Sequence, residues 1–217
     1  VWLKPDWVVV FDRADAPADR FKRVWWQLPV APTVNGLQAR MTSAGGQQLF
    51  ITTLLPAGAT MQLVNPANDG VEDTVATHEP MTQRVMVEAP AGATARFLHL
   101  VQGADGGAAP TAATLIDTND GYVGVAVNQT AVLFSADWAQ PFSQLRYTAP
   151  AGVSQHIITG LEPGASYAAT VTATGAGVDV TILPDGDTRA DAAGVLVLPA
   201  QPALSSYLPL VTASAQN

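Results

Sequence analysis

Ala113-Thr114-Leu115-Ile116-Asp117-Thr118-Asn119-Asp120-Gly121-Tyr122-Val123-Gly124-Val125-Ala126-Val127 holds two β-rich runs divided by one turn phrase. In Asn119-Asp120-Gly121 a Gly follows Asp, where a positive φ closes a hairpin at little steric cost. The flanking runs, Ala113–Asp117 and Tyr122–Val127, are short and dominated by Val, Ile, Leu and small residues, as strands are. The unit repeats outward. Upstream, the same reading predicts strands at Trp7–Asp12, Lys22–Leu28, Gln48–Leu55, Met61–Val64, Arg84–Glu88 and Arg96–Gln102. Downstream it predicts Ala131–Ser135, Gln144–Thr148, Gln155–Thr159, Tyr167–Ala173, Val178–Leu183 and Val195–Leu198. Closely spaced strands with turn signals between them belong to sandwiches and barrels, not to βαβ units.

Other turns carry their own chemistry. Asn68-Asp69-Gly70 is a second hairpin phrase, and Pro-Ala-Gly recurs at Pro56-Ala57-Gly58, Pro90-Ala91-Gly92 and Pro150-Ala151-Gly152. The recurrences are unevenly spaced, so they are a reused turn and not a solenoid period. No stretch keeps a helical period; Ala14–Phe21 could supply one turn at most. Trp7-Val8-Val9-Val10-Phe11 and Leu49-Phe50-Ile51 are unbroken apolar runs, expected to be covered on both faces, whereas Gln144-Leu145-Arg146-Tyr147 alternates like a half-exposed strand. The expected fold is an all-β, antiparallel two-sheet β-sandwich, large enough to carry a second, smaller sheet. It spans residues 1–203, with a sub-division near 103–112 at the Gly/Ala-rich Gly103–Pro110, and a tail over 204–217 holding the apolar Tyr207–Val211.

Composition supports this and excludes several functions. The 217 residues are 48% hydrophobic and only 13% charged, with 18 Gly, 16 Pro, two Lys and four Glu. Charged helix surfaces need more Lys and Glu than that. The net charge is −8. The basic residues of the first forty positions (Lys4, Arg13, Arg20, Lys22, Arg23, Arg40) are interleaved with Asp6, Asp12, Asp15 and Asp19, so nucleic acid is not an expected partner. Cysteine is absent, which removes disulfides and thiolate metal sites. No apolar stretch is long enough for a membrane span. Because the chain opens at Val1 directly before a strand, the expectation is a processed piece of a longer, exported precursor, secreted or held at the cell surface.

Candidate chemistry is sparse. His78, His99 and His156 are far apart, and none has a close His, Cys or Asp at metal-ligand spacing. His99 and His156 fall inside apolar strands as core residues, with a His99 pairing to Tyr122 or Tyr147 as the alternative. Asp117–Gly121 resembles a calcium loop only superficially, since Val127 stands where an EF-hand needs Glu. Asp185 and Asp187, with Asp191, are candidates for a weak surface calcium site. No cofactor fingerprint and no nucleophile elbow occur. The aromatics say more: Trp2, Trp7, Trp25, Trp26 and Trp138 are the candidate contacts for carbohydrate or for a partner surface. Trp25 and Trp26 are adjacent on a strand, so one of them must face outward.

The order of these pieces resembles a known family. Lys4-Pro5-Asp6-Trp7-Val8-Val9-Val10-Phe11-Asp12-Arg13-Ala14-Asp15-Ala16, then Leu49-Phe50-Ile51-Thr52-Thr53-Leu54-Leu55-Pro56, then Phe97-Leu98-His99-Leu100-Val101-Gln102, are similar to successive strands in the C-terminal β-sandwich region of bacterial heparinase II/III-like polysaccharide lyases. Gly160–Tyr167 and Ala190–Leu196 are similar to the way those proteins finish. That resemblance implies a large antiparallel sandwich. In the family an upstream helical toroid contributes most of the catalytic Tyr and His, and a His often follows the strand that here reads Lys22-Arg23-Val24-Trp25-Trp26-Gln27. Gln27 departs from that pattern. That departure counts against both metal binding and lyase activity, so the resemblance implies a fold and a polysaccharide neighbourhood, not a reaction. A more local likeness, Leu161-Glu162-Pro163-Gly164-Ala165-Ser166-Tyr167, resembles the L-x-P-G-x-x-Y corner of fibronectin type III domains, where the Tyr hydroxyl bonds back to the chain.

The function expected from these readings is a non-catalytic extracellular module that supports or contacts polysaccharide, or a neighbouring domain or protomer. The alternatives are a self-assembling surface protein using sheet edges and the tail, and the rear part of an active lyase.

Overall fold

The computed structural model describes residues 1–64 and 83–199. The Asn68-Asp69-Gly70 turn, His78 and the 204–217 tail lie outside them. The described residues form strands only. The first nine are β1 (Trp2–Leu3), β2 (Trp7–Asp15), β3 (Arg23–Leu28), β4 (Thr33–Asn35), β5 (Gln38–Thr42), β6 (Gln48–Leu55), β7 (Thr60–Val64), β8 (Gln83–Glu88) and β9 (Thr94–Ala104). The rest are β10 (Ala113–Asp117), β11 (Tyr122–Val127), β12 (Thr130–Ser135), β13 (Leu145–Ala149), β14 (Gln155–Thr159), β15 (Ser166–Ala173), β16 (Val178–Pro184), β17 (Thr188–Arg189) and β18 (Leu196–Leu198). The single helical turn that Ala14–Phe21 could have supplied does not form. Ala14 and Asp15 continue β2, and Arg20 N bonds Pro17 O in a simple turn.

These strands make four sheets, in the orders β3-β8-β7, β1-β2-β9-β6-β5-β4, β10-β11-β12-β14-β18 and β13-β16-β15-β17. They pack face to face in that order, as four layers. Side-chain alternation explains the stacking. From β9, Ala95 and Phe97 turn toward the first layer and meet Leu28, Met61, Val85 and Val87. Leu98 and Leu100 turn the other way and, with Val9, meet Val125, Val127 and Val132 of the third layer. The opposite face of the third layer supplies Tyr122, Leu133, Ile158 and Leu196 to a core shared with Leu145, Tyr147, Tyr167, Val180 and Ile182 of the fourth. The all-β sandwich is as expected but deeper than two sheets, because strands 6, 9, 11 and 12 are apolar on both faces. Pairing is antiparallel throughout except for β12 with β14, whose intervening strand β13 crosses to the fourth layer.

Polar groups fasten the middle junction. Arg13 and Arg96 face each other across β2 and β9. Arg13 donates to Ser135 O and Arg96 to Ala136 O, at the end of β12. Phe11 stacks on Phe134 at 5.1 Å. Elsewhere, buried Lys22 donates to Pro17 O, Arg20 O and Gly92 O, tying two loops together. Two of the Pro-Ala-Gly phrases are tight turns: Ala59 N bonds Pro56 O, Val153 N bonds Pro150 O, and Gly58 and Gly152 hold φ of +75° and +89°.

Leu98→Ala removes a completely buried side chain from the middle junction. The expected loss is about 3 kcal/mol of unfolding free energy, the usual range for such a cavity. Urea denaturation followed by circular dichroism measures it.

Candidate functional site

The five tryptophans do not form one surface. Trp26 packs inward against the first core and meets His99 edge-on at 5.2 Å, its Nε1 having no partner among the described residues. Trp7 is half-buried and donates to Thr111 Oγ1 at 3.2 Å, holding β2 against the segment that enters β10. Trp2 (62% exposed), Trp25 (39%) and Trp138 (78%) face solvent from three separate elements: an edge strand, the outer face of the first layer and the loop after β12. Strand alternation divides Trp25 from Trp26 as anticipated. Trp26 turns into the first core, while Trp7 stays partly exposed in a shallow groove with Leu3, Lys4 and Gln129.

The two described histidines are fully buried, one in each outer core. His99 Nδ1 lies 2.9 Å from Thr53 Oγ1, and His156 Nδ1 lies 2.9 Å from Tyr147 Oη. The His–Tyr pair therefore exists, but on His156; His99 takes Thr53, its direct neighbour in the β6–β9 register. Burial pushes the His99 pKa down to about 4, lowers that of His156 and raises that of the Tyr147 hydroxyl. Both imidazoles are held as neutral core groups.

The acidic turns are also structural. Asp191 Oδ1 accepts from the amides of Ala193 and Val195, at 2.8 and 2.9 Å. Among the described residues, no group of three His, Asp or Glu is placed to hold a metal ion, so Asp185, Asp187 and Asp191 do not assemble a calcium site. The Asn119-Asp120-Gly121 turn is pinned through Asp120, which accepts from Gln144 Nε2 and Arg146 N. The Tyr167 corner closes as its sequence suggests, with Glu162 N donating to Tyr167 Oη at 3.1 Å. No helix among the described residues could cross a membrane.

One open groove was not legible as a site. The third layer covers the second over β2 and β9 but leaves the same face open over β4 and β5. Alternation along β5 sends Ala39 and Met41 into the first core and Gln38, Arg40 and Thr42 to this open face. Register places Thr33 beside Arg40 and Asn35 beside Gln38. Ala108, Ala109 and Pro110 form the wall, enclosing about 630 Å³. Buried Phe50 lies in the floor with the Arg40 guanidinium 5.9 Å from its ring centre. With its amide oriented to satisfy both ends, Gln48 accepts from Arg40 and donates to Ala108 O at 2.9 Å. The lining contains no carboxylate, and Arg40 has no ion pair among the described residues. Such a lining can bind hydroxyls, through Thr and amide groups, and one negative charge.

No protein-family model matches the chain, and no curated protein matches it either.

The buried histidines set an acid limit. His99 falls from 6.5 to about 4 on folding, so the folded state binds fewer protons there than the unfolded chain. Its stabilisation is complete above about pH 6.5 and is lost as pH falls through 4, amounting to about 3 kcal/mol. His156 acts in the same direction. Urea midpoints measured from pH 7 to pH 4 should fall steeply in the wild type and less steeply in His99→Gln.

Proposed function

We propose that the protein is a non-catalytic β-sandwich module of an exported or cell-surface protein, related to heparinase II/III-like polysaccharide lyases. Its role is to hold a hydroxyl-rich sugar chain carrying carboxylate or sulfate in the Arg40 groove. The observation that carries this reading is a guanidinium with no ion pair among the described residues, in a groove lined by no carboxylate among them, within a chain of net charge −8. A cation kept clear of carboxylates on so acidic a protein is available to an external anion. The stacking of Arg40 against Phe50 and its bond to Gln48 orient it in advance, which lowers the entropy lost on binding. Thr33, Asn35, Gln38 and Thr42 supply donors and acceptors for hydroxyls along the same face. The ordered strand motifs resembling the lyase sandwich support the polysaccharide neighbourhood. The burial of His99 and His156 in hydrophobic cores supports a binding role over catalysis by these groups.

Affinity electrophoresis through polygalacturonate or a sulfated galactan tests it. Wild-type protein is expected to be retarded, with Arg40→Ala weakened about tenfold or more, as for one lost charge-assisted contact, and Arg40→Lys weakened less. Unchanged retardation of Arg40→Ala would refute the groove. Release of unsaturated, ultraviolet-absorbing products by this chain would refute the non-catalytic role.

A further inference from the structure

We infer that the groove beside Trp138 is a second sugar-binding site, independent of the Arg40 groove, and that it takes an uncharged chain. It encloses about 430 Å³ at one end of the third and fourth layers. Three segments build it: the loop bearing Trp138, Gln140 and Phe142, the corner from Gly160 to Tyr167, and the turn at Pro184-Asp185.

The indole is 78% exposed, so its apolar area contributes almost nothing to the folded core. Yet the loop that presents it is firmly held. Ser135 Oγ donates to Asp137 O, Ala139 N donates to Asp137 Oδ1, and Arg96 donates to Ala136 O. Phe142 is locked edge-on between Tyr122 at 6.0 Å and Tyr167 at 5.2 Å. An exposed aromatic face on a hydrogen-bonded loop, beside an apolar floor, suits a flat partner with C–H groups on one side and hydroxyls at its rim.

The rim supplies the matching polar groups. Gln140, Glu162, Ser166 and Asp185 are all exposed there. Neither the Glu162 nor the Asp185 carboxylate makes a hydrogen bond or ion pair among the described residues. Both are positioned through their backbones: Glu162 N donates to the corner Tyr167, and Asp185 N donates to Ser166 O. Carboxylates accept from sugar hydroxyls and repel anions. No Lys, Arg or His is among the lining residues, and Arg189 of the same corner is engaged with Gly164 O, so a uronate or sulfated chain would bring its charge beside two negative groups. The charge pattern is therefore opposite to that of the Arg40 groove, and the two grooves select different sugars.

The test is titration of the whole chain with cellohexaose, xylohexaose and mannohexaose, and with hexagalacturonate as the charged counterpart. Tryptophan emission and calorimetry provide the readouts. At least one neutral hexaose should bind and blue-shift the emission as Trp138 loses water. Trp138→Ala should lose binding at least tenfold, and the double variant Glu162→Gln, Asp185→Asn severalfold. Arg40→Ala should bind the neutral hexaose like wild type, so failure of one groove is distinguishable from failure of the other. Trp138 is exposed, and matching circular dichroism and Tm will show that its variant is folded. Binding of none of the neutral sugars overturns the inference, as does full binding by Trp138→Ala or a preference of this groove for hexagalacturonate. A lysine-rich peptide that shifts Trp138 emission where no sugar does would also overturn it, assigning the groove to a cationic protein partner.

Discussion

Leu98 and Leu100 leave β9 on one side, Phe97 and His99 on the other, and all four are withdrawn from water. An eleven-residue strand buried on both faces demands a sheet above and a sheet below. Of the layers that satisfy it the first is amphipathic, but the third is again apolar on both faces, so a fourth must follow. Four layers are thus the consequence of two doubly buried strand sets, with Arg13 and Arg96 bonding the carbonyls of Ser135 and Ala136 at the end of β12. The functional surfaces lie where the stacking is incomplete. The Arg40 groove opens where the third layer leaves part of the second uncovered, and the Trp138 groove opens at the end of the last pair.

Much of this was legible in the sequence. Gln48–Leu55, Ala113–Asp117, Tyr122–Val127 and Gln155–Thr159 fall where composition and turn residues place them, because each is a dense apolar run bounded by breakers. The strands that escaped are polar or very short. Thr33–Asn35 and Gln38–Thr42 carry little hydrophobic signal, although Asn35-Gly36 is a turn phrase and Gln38-Ala39-Arg40-Met41-Thr42 alternates faithfully. The number of layers was harder to read. An unbroken apolar run announces burial on both faces, but not which sheets will supply it.

The candidate site was less legible, for the same reason. Aromatics can be counted in a sequence, but alternation and packing decide how far each reaches solvent, and Trp7 and Trp26 are largely covered while Trp2, Trp25 and Trp138 are not. Arg40 carries no local signal of a role. Its isolation from carboxylates is a property of the open sheet face and of the Ala108–Pro110 wall, which is distant in sequence. His99 and His156 were read correctly as core residues. Their hydroxyl partners depend on register for Thr53 and on the facing of two layers for Tyr147.

The stacking order also has a consequence during synthesis. The first two layers are complete once β9 has left the ribosome, with a core of their own, while Val9, Leu98 and Leu100 still present a bare apolar face. That face stays uncovered until β11 and β12 are made, and exposed apolar surface of this kind favours association with other chains. The eight residues between β9 and β10 keep this interval short. The brevity of that connector is a protection for the nascent chain as much as a link between its halves.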